Sequence, residues 1–142
     1  MSKVLITYWS GTGNTEKMAQ LITEGAKAKG AEVDCKVISD VTVDSALGYD
    51  VVAIGSPSMG AEVLEENEIE PFVTELEAKA KGRKLGIFGS YGWGDGEWMR
   101  NWAERMQGCG ARLLDEGLAV HETPAGDDVE KCKEFGERLA NF

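Results

Sequence analysis

Five short apolar runs, each followed by a segment with a helical or turn-rich pattern, set the strongest limit on how this 142-residue chain can fold. They are Val4 to Ile6, Val33 to Ile38, Val51 to Ile54, Leu85 to Phe88 and Ala111 to Val120, and their β-branched content marks them as strands. Helical spacing of apolar residues runs from about Thr15 to Lys29, Glu66 to Ala80, Glu97 to Met106 and Asp127 to Ala140, with a short turn of helix near Asp44 to Leu47. Gly30, Gly82 and Gly108 stand where C-terminal caps are expected. Strand-then-helix alternation implies right-handed crossovers and an α/β fold, a doubly wound parallel sheet with helices on both faces. In such a sheet the ligand crevice lies outside the carboxyl ends of the strands, near the point where strand order reverses. Three glycine-rich segments fall at such ends.

The first, Tyr8-Trp9-Ser10-Gly11-Thr12-Gly13-Asn14-Thr15, joins the first strand to the first helix and is built largely of small residues and hydroxyls. At a helix N-terminus, unpaired N–H groups and the positive end of the dipole favour an anion, and Gly11 and Gly13 let the backbone come close. Ser10, Thr12, Asn14 and Thr15 can add side-chain hydrogen bonds. A nucleotide-hydrolysing loop needs Gly-Lys-Ser or Gly-Lys-Thr, whereas this chain reads Gly13-Asn14-Thr15-Glu16. A cysteine phosphatase would need a thiolate opening the loop and an arginine closing it. The Gly-x-Gly-x-x-Gly dinucleotide pattern fails at Glu16, which is not small. The remaining reading is a loop for a terminal monophosphate, held without a basic side chain. Read alone, the same residues would also serve as a turn and N-cap.

The second segment, Gly55-Ser56-Pro57-Ser58-Met59-Gly60-Ala61-Glu62, is a shaped loop marked by Pro57 and Gly60. Met59 at its apex could fill a core gap or lie as an apolar plate against a flat ring. The third, Gly89-Ser90-Tyr91-Gly92-Trp93-Gly94-Asp95-Gly96, interleaves glycines with two aromatics at a large cost in backbone entropy. Trp93, flanked by Gly92 and Gly94, is expected to project with little cover, which suits an indole that stacks on a ligand. Trp98 and Trp102, four apart on a helical segment, read as core or half-buried surface.

Composition narrows the rest. A hydrophobic content of 42% with no linker or repeat fits one domain over residues 1–142, and no leader or long apolar segment is evident, so a cytoplasmic location is expected. Cys35, Cys109 and Cys132 form no C-x-x-C pair and read as free thiols; His121, the single histidine, lacks companions for a metal site. A formal net charge of −10 argues against nucleic acid and for basic partners. Glu62, Glu65, Glu66, Glu68 and Glu70 crowd the stretch after Met59, and Asp95 and Glu97 follow Trp93. Such clusters are either a solvated acidic face or a patch that steers a partner.

The phosphate loop, the Ser58-Met59-Gly60-Ala61-Glu62 turn and Gly89-Ser90-Tyr91-Gly92-Trp93-Gly94-Asp95-Gly96 with Trp98-Met99-Arg100 together resemble a flavodoxin of the short-chain type found in clostridia and related anaerobes. The resemblance spans the chain and implies a five-stranded parallel sheet in order 2-1-3-4-5. It implies FMN, bound without a covalent link, with Ser10, Gly11, Thr12, Gly13, Asn14 and Thr15 at the phosphate. Ser58, Met59, Gly60, Ala61, Glu62, Ser90, Gly92, Trp93 and Gly94 would surround the ring, with Met59 and Trp93 on opposite faces and Glu62 accepting a hydrogen bond from flavin N3. On one-electron reduction the turn's central peptide would flip, so that the Gly60 carbonyl meets flavin N5–H. Clostridial relatives can carry Asp where this chain has Ala61.

The implied function is low-potential electron transfer by a carrier that is not an enzyme. Its expected partners are redox enzymes with basic docking surfaces, of the flavodoxin or ferredoxin reductase, pyruvate oxidoreductase, hydrogenase or nitrogenase type. Nucleic acid and membrane are not expected as partners, and the protein is expected to be a monomer. An FMN-dependent quinone or nitro reductase is the alternative on the same fold, but would be expected to add loops or a dimer interface for its substrate. A phosphorylated receiver domain needs acids where this chain has Tyr8, Trp9 and Gly55-Ser56.

Overall fold

The computed structural model describes residues 2–142. Its elements alternate as β1 (Lys3–Tyr8), α1 (Asn14–Ala28), β2 (Glu32–Val37), α2 (Val43–Ala46), β3 (Val51–Gly55), α3 (Ile69–Glu77), β4 (Lys84–Tyr91), α4 (Glu97–Gly108), β5 (Arg112–Leu113), β6 (Leu118–His121) and α5 (Asp127–Ala140). The sheet is parallel in order β2-β1-β3-β4-β5, with β6 pairing farther along β4. Strand order thus reverses between β1 and β3, whose registered residues Tyr8 and Gly55 end side by side.

Alternation within the strands divides the core between the two faces. Val4 and Ile6 of β1, with Val51 and Ala53 of β3, pack against Met18, Ile22, Phe135 and Leu139 of α1 and α5. Leu5, Val52, Ile54, Leu85 and Ile87 point the other way, onto Ile69, Val73 and Leu76 of α3 and Trp98, Trp102 and Met106 of α4. Both faces are covered, which is why β1 and β3 read as continuous apolar runs. Trp98 and Trp102 are buried core, as one of their two readings had it.

Three expectations are corrected. The run from Ala111 to Val120 is two short strands, because the chain turns at Asp115 (φ 53°) and Gly117 (φ 90°); a Cβ on Gly117 would lie 2.6 Å from Met99 Sδ. The capping glycine of α4 is Gly110 (φ 90°), while Gly108 belongs to the helix. Gly110 N–H bonds the Gln107 carbonyl and Ala111 N–H that of Met106, the paired pattern of a left-handed C-terminal cap. The third helix begins at Ile69 rather than Glu66, for a reason that lies in Glu65.

Candidate functional site

The loops that follow β1, β3, β4 and β6 enclose a cavity of about 240 Å³ at the carboxyl edge of the sheet. Trp9, Ser10, Gly11, Thr12, Asn14, Pro57, Ser58, Met59, Ser90, Tyr91, Gly92 and Glu122 line it. The position is the one physical topology dictates, at the reversal of strand order.

On the β1 side, α1 starts after Gly13, which takes φ 95° and offers no side-chain cap to the first helical N–H groups. Gly13 N–H itself bonds Ser10 Oγ at 3.1 Å, which curls Ser10 to Gly13 around the cavity's edge. Trp9 packs its ring beside Gly11, where a Cβ would approach its Cη2 to 3.0 Å. Thr123 Oγ1 donates to Asn14 Oδ1 at 2.6 Å and fastens the loop after β6 to this one. Among the described residues the lining holds no lysine or arginine, so an anion here would meet oriented amides and hydroxyls rather than a cation. Burial, and then the Glu16 carboxylate bonded to its hydroxyl, push the Tyr8 phenol up to about 12, so it stays protonated beneath the loop.

On the β3 and β4 side the backbones are knitted together. Ser56 N–H bonds the Phe88 carbonyl and Ser58 N–H the Ser90 carbonyl, both at 3.0 Å. Gly89 permits this approach: a Cβ there would sit 1.9 Å from the Ser56 carbonyl oxygen. Met59 and Val63 exchange two backbone hydrogen bonds and close the turn Gly60-Ala61-Glu62 between them. Positive φ falls on Gly60 (51°) and Glu62 (56°), and Ala61 is spared it. Three large apolar side chains stand out from this end, Met59 at 36%, Val63 at 42% and Trp93 at 64% exposed.

Seven of the fifteen expected ligand residues do not line the cavity, namely Gly13, Thr15, Gly60, Ala61, Glu62, Trp93 and Gly94. Thr15 is buried, and its hydroxyl pairs with Ser90 Oγ at 3.3 Å, so it reaches the cavity through Ser90. The Glu62 carboxylate accepts Gly96 N–H at 3.2 Å and Glu97 N–H at 3.0 Å and so caps α4. Trp93 lies outside the enclosed space and exposed, as its flanking glycines suggest. Glu65, counted above among surface acids, is 2% exposed and belongs to the interior. Asp95 is paired with Arg100, and Glu70 with Arg105, which holds the Glu70 carboxyl below its ordinary range. Trp9, Pro57, Tyr91 and Glu122 line the cavity without having been singled out as ligands. Three of them lie inside or beside the glycine-rich segments. Glu122 was reachable by the strand-end rule applied to the last strand.

A family model described as flavodoxin matches residues 6–136. The flavodoxin of Clostridium beijerinckii is 50% identical over 138 residues, covering 96% of this chain and 99% of that one. The flavodoxin of Megasphaera elsdenii is 48% identical over 137 residues, covering 96% of this chain and 98% of that one. The solution structure of two-electron reduced Megasphaera elsdenii flavodoxin superposes with a TM-score of 0.89, at 48% identity, over 98% of this chain and 99% of that chain.

Proposed function

The chain belongs to the flavodoxin family, and from that premise we propose how its own residues hold FMN and meet a partner. It is an FMN-dependent electron-transfer protein, a carrier rather than an enzyme. The observation that carries the assignment of residues is a cavity whose lining runs from the loop at an uncapped helix N-terminus to the exposed Met59. That pairing suits a ligand with a phosphate at one end and a flat ring at the other.

FMN, when bound, supplies a ring that accepts and returns electrons one at a time. Ser10, Gly11, Thr12, Gly13 and Asn14 would hold the phosphate through amides and hydroxyls, with Thr15 setting Ser90. Met59 and Trp93 would cover the ring faces, and Ser58, Gly60, Ala61, Gly92 and Gly94 would shape the backbone around its edge. Glu62 would turn from the α4 amides to accept a ring N–H. Displacing water from these apolar side chains adds binding energy on the order of 25 cal/mol per Å².

Docking is proposed to use the exposed Glu66, Glu68 and Glu97, whose charges stay unpaired among the described salt bridges and favour a basic redox partner. Three free cysteines fit a reducing, cytoplasmic setting. Among the described residues no helix is long and apolar enough to cross a membrane. Titration of apoprotein with FMN and with riboflavin tests the assignment. FMN is expected to bind far more tightly, and equal affinities would show that the loop after β1 does not hold the phosphate.

A further inference from the structure

Glu65 is a carboxylate inside the protein with no salt bridge among those of the described residues. Backbone amides satisfy it instead. Oε1 accepts Glu68 N–H at 2.7 Å and Ile69 N–H at 3.0 Å, and Oε2 accepts Asn67 N–H at 2.9 Å. The Glu68 and Ile69 amides are orphan donors at the start of α3, Asn67 lies just before it, and the residue in the N-cap position, Glu68, makes no side-chain cap of its own. A buried charge survives on such terms because several charge-assisted bonds and the helix dipole replace lost hydration.

The other end of Glu65 is also fixed. Its N–H donates to Ser56 Oγ at 3.1 Å. Ser56 is wholly buried, bonded through its N–H to Phe88 of β4 and through its carbonyl to Trp98 Nε1 of α4 at 3.2 Å. The Ser56–Glu65 contact therefore closes the loop that carries Ser58, Met59, Gly60, Ala61 and Glu62, and ties both feet of that loop to rigid elements. Gly60 and Glu62 hold positive φ within it, a conformation that lasts where the surroundings enforce it.

We propose that Glu65 is a positioning residue of the cofactor site, holding the Met59 turn against the flavin ring by capping α3 and bonding Ser56. The proposal rests on the FMN reading and assigns Glu65 to the ring end rather than to partner docking. Glu65→Gln keeps the shape but has one acceptor oxygen for three amides and turns an NH2 group on one of them. Glu68→Gln, on the exposed neighbour, removes the same charge and leaves the cap intact.

The experiment measures FMN and riboflavin affinity and the first-couple midpoint potential of wild type, E65Q, E68Q and Ser56→Ala, well below each unfolding temperature. E65Q is expected to weaken both flavins about tenfold, the worth of a lost charge-assisted hydrogen bond, and so to keep the FMN-to-riboflavin ratio. Its midpoint potential should move from the E68Q value toward that of free FMN. Ser56→Ala, which leaves the carboxylate cap in place, should show the same pattern at smaller size and serves if E65Q fails to fold. Potentials equal in E65Q and E68Q, or in Ser56→Ala and wild type where E65Q is unfolded, would reduce Glu65 to a structural cap and overturn the proposal. A wild type that fails to bind FMN would instead sink the functional reading itself.

Discussion

Around the loop after β1, polar side chains are bonded within the protein: Ser10 Oγ takes Gly13 N–H, Asn14 takes the Thr123 hydroxyl, and Thr15 meets Ser90 in the interior. Around the loops after β3 and β4, backbone groups are paired while apolar side chains point outward, with Trp93 at 64% and Met59 at 36% exposed. Under the proposed assignment the first region is a polar cradle whose affinity for phosphate comes from orientation, and the second an apolar surface whose affinity for the ring comes from being covered. Each half can be removed without the other.

Trp93→Ala attacks the apolar half at its most exposed point. FMN and riboflavin should both lose about 2–4 kcal/mol, the worth of an aromatic pair plus the area it buries. Unchanged affinity, with unchanged quenching of flavin fluorescence, would place Trp93 away from the ring and dissolve the contrast.

Thr12→Ala attacks the polar half. With an exposed hydroxyl at the cavity's lip, it should cost FMN about 1.5–3 kcal/mol, the range for a hydrogen bond to a charged group, and cost riboflavin nothing. Thr15→Val sharpens the boundary between the halves. Because the Thr15 hydroxyl is buried against Ser90, this change should weaken both flavins by about 1 kcal/mol. A loss confined to FMN would return Thr15 to direct phosphate contact.

The two halves also differed in how far they could be read before the structure. Periodicity located β1 and β3 because strands covered on both faces are apolar without interruption, and the strand-end rule then located the loops. Gly60 carries the positive φ that its sequence permits, and Ala61 avoids the one its Cβ penalises. Burial of Glu65 left no such trace. A glutamate in a run of acids has the same spacing whether it faces water or caps a helix from below, and the bonds it makes to Ser56 and to the amides of Glu68 and Ile69 decide which. The break between β5 and β6 left only a weak signal, since Asp115 at φ 53° and Gly117 at φ 90° are residue types that accept the left-handed region but do not require it. Glu62 was assigned to flavin N3 by resemblance alone, and its hold on the α4 amides belongs to packing between loops.

Within the apolar half, Ala61→Gly probes the turn rather than the surface. In the structure the left-handed conformation falls on Gly60, and moving it to Ala61 would cost about 1–2 kcal/mol. Glycine removes that bias and frees the competing turn. The first-couple midpoint potential should fall by up to about 40–90 mV, at roughly 59 mV per tenfold for one electron. FMN phosphate discrimination should stay put. An unchanged potential would show that the contacts of Met59, Val63 and Glu65, and not the preference of residue 61, set the turn.

The smallest effect is expected at the rim, where neither half is touched. Glu66 and Glu68 are exposed and outside the described salt bridges, whereas Glu65 from the same run is buried and Glu70 is bound to Arg105. Charge that steers a partner must be free and solvated, so the steering share of this cluster narrows to Glu66 and Glu68. Exposed charges act over about 8–10 Å at ordinary salt, which makes their influence mainly a matter of encounter rate. Glu66→Gln with Glu68→Gln should therefore slow electron transfer to a basic reductase a few-fold through the association rate, flatten its dependence on ionic strength, and leave FMN affinity unchanged. Stopped-flow rates from low to high salt give the comparison directly. Identical salt dependence in the variant and wild type would make these residues an ordinary solvated face, and loss of FMN instead would show that the rim and the ring-facing turn are one structural unit.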